Sequence, residues 1–297
     1  MLSSQGFDPI TDPANHTTKR DNMSRVAAIQ MASGPNMGAN LIEAGRLIDQ
    51  AAADGAKLIV LPEEFGLIGS NQDKLKARET EGSGPMQDFL ATQAARHGVW
   101  LVGGTVPLTA NDPLRARAAC LIYDASGQRV ARYDKIHLFD VYIEETGEKF
   151  TESFATEPGE ATQVIDTPFG RIGMAVCYDL RFPELLRSMV RKKVEIITLP
   201  AAFTAFTGKA HWEVLVRARA IENLSYVIAA AQGGYHLSGR ETYGDSMIVD
   251  PWGVVVDRIA RGSGVVYANL DQKRLQSIRR NFPALEHTRM QCALAKP

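Results

Sequence analysis

The chain has 297 residues, which allows one large domain or two ordinary ones, and its 33 Lys and Arg against 34 Asp and Glu give a net charge of −1. With 45% hydrophobic and 23% charged residues, this is the composition of a soluble globular protein. The lack of a basic excess argues against a protein that binds nucleic acid or a membrane surface, and no apolar run approaches the roughly 18 residues of a membrane span.

The first residues differ from the rest of the chain. Residues 1–24 show no periodicity and lack the apolar segment of a secretory signal, so we interpret them as a disordered leader. Met23 is a candidate for the true start of the folded protein, because a strand begins at Val26.

Strands and helices then alternate along the first half. The strand Val26–Ile29 is followed by apolar residues at helical spacing, by Gly55 where a helix C-cap belongs, and by the strand Leu58–Leu61. This order is typical of a βαβ unit. A second helix, Met86–His97, ends before the strand Val99–Val102.

The second half begins after an antiparallel pair of strands, Ala118–Tyr123 and Arg129–Tyr133, joined by a polar turn. Its predicted elements again alternate, and they are the strand Ile172–Cys177, helix Pro183–Arg191, strand Glu195–Leu199, helix His211–Asn223, and strands Tyr226–Ala231, Ser246–Val249, Val254–Asp257 and Val265–Leu270. No linker rich in Gly, Ser or Pro divides the halves. The pattern therefore predicts a single α/β domain of two β-sheets covered by helices.

Three residues that could carry chemistry follow predicted strands. Glu63, Lys135 and Cys177 each lie at the carboxyl end of a strand, where ligands collect in α/β sheets. A cation about 4 Å from a thiol contributes roughly 4 kcal/mol at an effective dielectric of 20, so we expect Lys135 to outweigh moderate desolvation of Cys177. Glu63 would take the thiol proton, and the N–H of Tyr178 would help to bind an oxyanion.

Each of these residues taken alone also has a structural interpretation. A lone cysteine is more often a buried apolar residue, Glu63 could belong to a solvated acidic loop, and Lys135 could be a surface charge. His137 is expected to pack as a hydrogen-bonded, half-buried side chain rather than to act as the base. The three cysteines, Cys120, Cys177 and Cys292, are an odd number without zinc-ligand spacing, which favours free thiols in a cytoplasmic protein.

The residues around the trio resemble a known family. Leu61–Glu63, Tyr133–Asp140 and Gly173–Glu184 are similar, in order and spacing, to the three catalytic blocks of the nitrilase superfamily, the carbon-nitrogen hydrolases. The resemblance covers residues 25–289 as one domain, and leaves 290–297 as a C-terminal tail.

This resemblance implies a single-domain, four-layer α-β-β-α sandwich. It also implies an acyl-thioester on Cys177, with Glu63 as general base and Lys135 as the cation beside the intermediate. By the same similarity, Glu152 orients the lysine and the substrate. No metal and no organic cofactor are expected, and members commonly form homodimers.

The substrate is predicted from further stretches. Gly208–Glu222, Ala229–His236 and Tyr243–Gly253 are most similar to the branch that hydrolyses deaminated glutathione, a small 2-oxo acid amide. Arg181 is a candidate anchor for the carboxylate of such a substrate, although a structural salt bridge is an equal alternative. An ω-amidase for α-ketoglutaramate, a nitrilase, a carbamoyl-amide hydrolase and an inactive partner-binding member remain open alternatives.

Overall fold

The computed structural model describes residues 23–237 and 239–290, so the predicted leader and tail fall almost entirely outside the described residues. The described helices are α1 (Met37–Ala53), α2 (Asn71–Lys76), α3 (Pro85–His97), α4 (Pro183–Val190), α5 (Ala205–Asn223) and α6 (Gln272–Asn281). The described strands are β1 (Met23–Gln30), β2 (Leu58–Val60), β3 (Trp100–Val102), β4 (Val106–Thr109), β5 (Ala116–Tyr123), β6 (Arg129–Asp134), β7 (Asp140–Ile143), β8 (Glu148–Thr151), β9 (Val164–Thr167), β10 (Gly170–Met174), β11 (Ile196–Ala201), β12 (Tyr226–Ala231), β13 (Gly233–Tyr235), β14 (Glu241–Tyr243), β15 (Ser246–Val249), β16 (Val255–Ile259) and β17 (Gly264–Asp271).

The strands form two large mixed sheets. The first has the order β17-β1-β2-β3-β5-β4, with β6 also paired to β5, and the second has the order β16-β15-β12-β11-β10-β9. In each sheet the central strands are parallel, as β1, β2 and β3 are in the first, and antiparallel strands extend the edges. Two small hairpins, β7-β8 and β13-β14, stand apart from the sheets.

Both faces of the central strands are buried, and they face different layers. In β1, Val26 and Ala28 pack in a cluster with residues of the second sheet. The alternate residues Ala27 and Ile29 pack with apolar side chains of α1 and α3. On the far side of the second sheet, α4 and α5 contribute buried residues such as Trp212. The layers are therefore helix, sheet, sheet, helix, which confirms the predicted four-layer sandwich.

Several elements depart from the sequence-based prediction. Helix α5 begins at Ala205 instead of the predicted His211, because the Thr204 hydroxyl accepts a hydrogen bond from the Thr207 amide and caps the helix. The predicted strand Ile172–Cys177 ends at Met174, because a 3₁₀ turn begins at Cys177.

Among the described residues, no helix has the length and hydropathy needed to cross a membrane.

Candidate active site

The predicted trio meets at one place between the sheets. Glu63 follows β2, Lys135 follows β6 directly, and Cys177 follows β10. All three residues are buried, with exposed fractions of 5% for Glu63, 2% for Lys135 and 8% for Cys177. The alternatives of a solvated acidic loop for Glu63 and a surface charge for Lys135 are therefore wrong.

The Lys135 ammonium is held between two carboxylates. Its Nζ donates to Glu63 Oε1 at 2.8 Å, and lies 3.0 and 2.9 Å from the two carboxylate oxygens of Glu152. Glu152 comes directly after the β7-β8 hairpin, and its Oε2 also accepts from the Phe139 amide at 2.7 Å. This pattern fixes the ammonium in position and leaves little freedom for any of the three charged groups.

Cys177 occupies a sharp turn with an uncommon backbone conformation. Its φ of 49° lies in the left-handed region, which a residue with a side chain rarely adopts. The turn continues as the 3₁₀ segment Cys177–Arg181, and it places the thiol against the start of another loop. There the Ala202 amide lies 3.5 Å from Sγ as a hydrogen-bond donor.

Burial and neighbouring charges set the protonation states. Burial raises the pKa of the Cys177 thiol well above its usual value and Glu63 raises it further, while Lys135 opposes both. The expectation that Lys135 outweighs desolvation is thus wrong, and the resting thiol keeps its proton. Burial alone would lower the pKa of Lys135, but Glu152 and Glu63 raise it well above the usual value. Burial raises the pKa of Glu63 despite the adjacent ammonium.

A cavity of about 210 Å³ opens onto these groups. Tyr178 and Arg181, the two residues predicted to bind substrate, are among those that line it. The Arg181 guanidinium lies 5.1 Å from the ring centroid of Phe203 and 3.2 Å from Nδ1 of His211. Within the described part of the chain, no carboxylate lies within ion-pair distance of Arg181, so the alternative of a structural salt bridge finds no partner here.

A second charged cluster at the cavity was not predicted from the sequence. Glu64, which also has a positive φ of 56°, forms ion pairs with Lys74 and with Arg240, the latter at 3.1 Å. Arg240 Nη2 donates to the Ala202 carbonyl oxygen at 2.6 Å. Burial tends to raise the pKa of Glu64, but the two cations lower it to about 2. The cluster ties the loop after β2 to the loop that faces the Cys177 thiol.

His137 packs as the sequence indicates. Its side chain is 27% exposed, its Nδ1 lies 2.7 Å from Asp179 Oδ1, and its ring stacks on Phe182 with the ring centroids 3.7 Å apart.

Across residues 23–237 and 239–290, no group of three or more His, Cys, Asp and Glu side chains is arranged to hold a metal ion.

Comparison with known proteins places this site in a family. The profile of the carbon-nitrogen hydrolases matches residues 25–280. A deaminated glutathione amidase from Yersinia enterocolitica is 39% identical over 272 residues, which are 91% of this chain and 95% of that protein. The human deaminated glutathione amidase is 42% identical over 270 residues, 89% of this chain and 82% of the relative.

A solved structure gives the same answer for the fold. The Saccharomyces cerevisiae protein described as a member of branch 10 of the nitrilase superfamily superposes with a TM-score of 0.82 at 31% identity, covering 93% of this chain and all of that one. The motifs, the four layers and these relatives agree. The chain belongs to the carbon-nitrogen hydrolase family and is an amidase.

Proposed function

We propose that the chain hydrolyses deaminated glutathione through an acyl-thioester on Cys177. The observation that carries the proposal is the position of the Lys135 ammonium. It donates hydrogen bonds to both Glu63 and Glu152, and it lines the same cavity as the buried Cys177 thiol. A cation, a base and a nucleophile in one enclosed site are the groups that acyl transfer requires.

The first half-reaction follows from the protonation states. Because the Cys177 thiol rests with its proton, Glu63 takes that proton as Sγ bonds to the amide carbon. The oxyanion that forms is stabilised by the Lys135 ammonium and the N–H of Tyr178. Glu63 then gives the proton to the amide nitrogen, the C–N bond breaks, and the amine leaves a thioester behind.

The second half-reaction uses the same groups in reverse. Glu63 removes a proton from water while the oxygen bonds to the thioester carbon, and Lys135 again faces the oxyanion. When the C–S bond breaks, Sγ regains a proton from Glu63 and the carboxylic acid departs. Glu152 accepts hydrogen bonds from Lys135 throughout both half-reactions, which keeps the ammonium charged and oriented.

The charges around the cavity support an anionic substrate. Besides Lys135, the cavity is lined by the cationic side chains of Lys74, Lys149, Arg181 and Arg240. Lys74 and Arg240 pair with Glu64, which leaves Lys149 and Arg181. Of these two, Arg181 is the proposed anchor for the carboxylate of a 2-oxo acid, because a guanidinium can bind a carboxylate through two parallel hydrogen bonds. The name shared by the relatives supports deaminated glutathione over α-ketoglutaramate.

A side-by-side steady-state comparison tests the substrate. We expect deaminated glutathione to give the highest kcat/KM, α-ketoglutaramate to be second, and simple nitriles to be negligible. A preference for α-ketoglutaramate would overturn the branch of the family. A preference for a nitrile would overturn amide specificity as well.

Selective labelling tests the nucleophile. Cys120 is fully buried in β5, whereas Cys177 lines the cavity. Iodoacetamide should therefore label Cys177 first, with activity lost in proportion to the labelled fraction in peptide mass spectrometry. Retention of full activity by Cys177→Ala would contradict the mechanism.

We also propose that residues 25–289 act as one hydrolase domain in a cytoplasmic homodimer. An exposed apolar surface, here called the α5 patch, supports the dimer: Ile221 is 46% exposed, Trp252 53% and Phe282 51%. The rings of Trp252 and Phe282 lie 5.6 Å apart, and Arg217 of α5 donates to the Gly253 carbonyl oxygen, so these elements are adjacent.

A further inference from the structure

Asp179 binds the segment that carries Lys135 on both sides of the lysine. It is fully buried, and its Oδ2 accepts from the Tyr133 hydroxyl at 2.7 Å. Its Oδ1 accepts from the His137 amide at 3.1 Å and lies 2.7 Å from His137 Nδ1. Tyr133 and His137 lie two positions before and after Lys135, so one carboxylate holds the Tyr133 side chain before the ammonium and the His137 amide and ring after it.

The same carboxylate holds the turn that carries the thiol. Asp179 Oδ2 also accepts from the Val176 amide at 2.9 Å, and the Asp179 amide donates to the Val176 carbonyl oxygen at 3.0 Å. Val176 immediately precedes Cys177, whose positive φ is a conformation that must be imposed by its surroundings. The two reciprocal bonds close the turn around the nucleophile.

These contacts matter because the attraction between Lys135 and a developing Cys177 thiolate falls with distance. The two residues come from different sheets, and Asp179 bonds to the backbone or side chains next to both. We propose that Asp179 is a positioning residue that sets the distance between the Lys135 ammonium and the Cys177 sulfur. The inference rests on the proposed function of these two residues.

The substitution Asp179→Asn tests this role with little change of volume. The asparagine amide carries an NH₂ group in place of one carboxylate oxygen, and an NH₂ group cannot accept a hydrogen bond. The variant therefore loses the hydrogen bonds accepted by Oδ1 or those accepted by Oδ2. We expect kcat for deaminated glutathione to fall at least tenfold while KM stays within twofold. We also expect slower alkylation of Cys177 at pH 7, with the rate-against-pH profile moved to higher pH because the thiolate is less stabilised.

A purely structural role gives a different result. A loosened fold would expose the thiol and speed its alkylation without moving the midpoint of the profile. Tyr133→Phe removes one of the bonds to Oδ2 but keeps the carboxylate, so it should give a smaller fall in kcat and a shift in the same direction. It also serves as the test if Asp179→Asn does not fold.

Asp166→Asn is the matched control. This carboxylate on β9 is 69% exposed and pairs with Arg171, and it has no role in the proposed reaction. We therefore expect neither kcat nor the alkylation profile to change. An unshifted profile and a kcat within twofold of wild type, in Asp179→Asn or otherwise in Tyr133→Phe, would overturn the positioning role. Full activity of Cys177→Ala would instead overturn the proposed function.

Discussion

Lys135 is the cation that pairs with both carboxylates of the site, Glu63 and Glu152. With Lys135 exposed to only 2%, replacing it by Met would leave the buried Glu63 and the half-buried Glu152 without their cation. Breaking a buried ion pair from one side costs about 3 to 5 kcal/mol. Glu63→Gln should lower the free energy of unfolding by less, because the ammonium still pairs with Glu152.

We therefore expect Lys135→Met and Glu63→Gln to differ in stability but not in their effect on activity. Both should lose more than tenfold in kcat/KM, while thermal unfolding should show the larger fall in Tm for Lys135→Met. Either variant that kept more than about a tenth of wild-type kcat/KM, a loss below about 1.4 kcal/mol, would contradict its assigned role.

Glu64 gives a prediction about pH. Its pKa is lowered to about 2 in the folded chain, so the carboxylate contributes stability that is present above its unfolded pKa and is lost as the pH falls toward 2. The shift from 4.5 corresponds to about 3 kcal/mol. Urea unfolding should show Glu64→Gln less stable than wild type at pH 7, with the difference shrinking below about pH 4.5. A difference that stays constant down to pH 3 would argue against the ion pairs with Lys74 and Arg240.

At the scale of elements, helix ends offer a clean test of backbone geometry. Gly98 ends α3 with a φ of 58°, and a Cβ there would meet no atom within 4 Å. The cost of Gly98→Ala is therefore purely conformational, about 1 kcal/mol of unfolding free energy, with no change in kcat. Gly45→Ala inside α1, where the nearest atom is 3.7 Å away, should stabilise by a similar amount. Urea unfolding of both variants checks the opposite signs.

Periodicity predicts the elements that frame the site, because the central strands and amphipathic helices bury regular patterns. Ser246–Val249 and Tyr226–Ala231 are found with the predicted bounds. Periodicity does not predict the β7-β8 hairpin, whose strands have only four residues each and are mostly exposed or half-buried. The position of Glu152 thus came from family resemblance and could not come from pattern alone.

The charged cluster beside the trio shows a second limit. Glu64, Lys74 and Arg240 come from the loop after β2, from α2 and from the segment between β13 and β14. No local spacing connects residues so distant in the chain, and each one alone is typical of a solvated surface. Only the packing of the two sheets brings them to one cavity.

At the scale of the whole molecule, the α5 patch makes a prediction about assembly. If it forms the proposed dimer interface, Trp252→Glu places a charge in the buried surface and should yield a monomer in sedimentation velocity. Leu114→Glu, at a leucine that is 74% exposed outside the patch, is the control and should sediment as wild type. A wild-type chain that sediments as a monomer at micromolar concentration would rule out the dimer.

The left-handed backbone of Cys177 has a consequence for how the enzyme balances stability against chemistry. A φ of 49° suits glycine, which has no side chain that could act as a nucleophile. Cys177→Gly should be more stable than Cys177→Ala by about 1 kcal/mol in urea unfolding at pH 7, and equally inactive. Selection for a robust fold alone would therefore discard the thiol, so the cysteine persists at this position only as long as turnover is under selection.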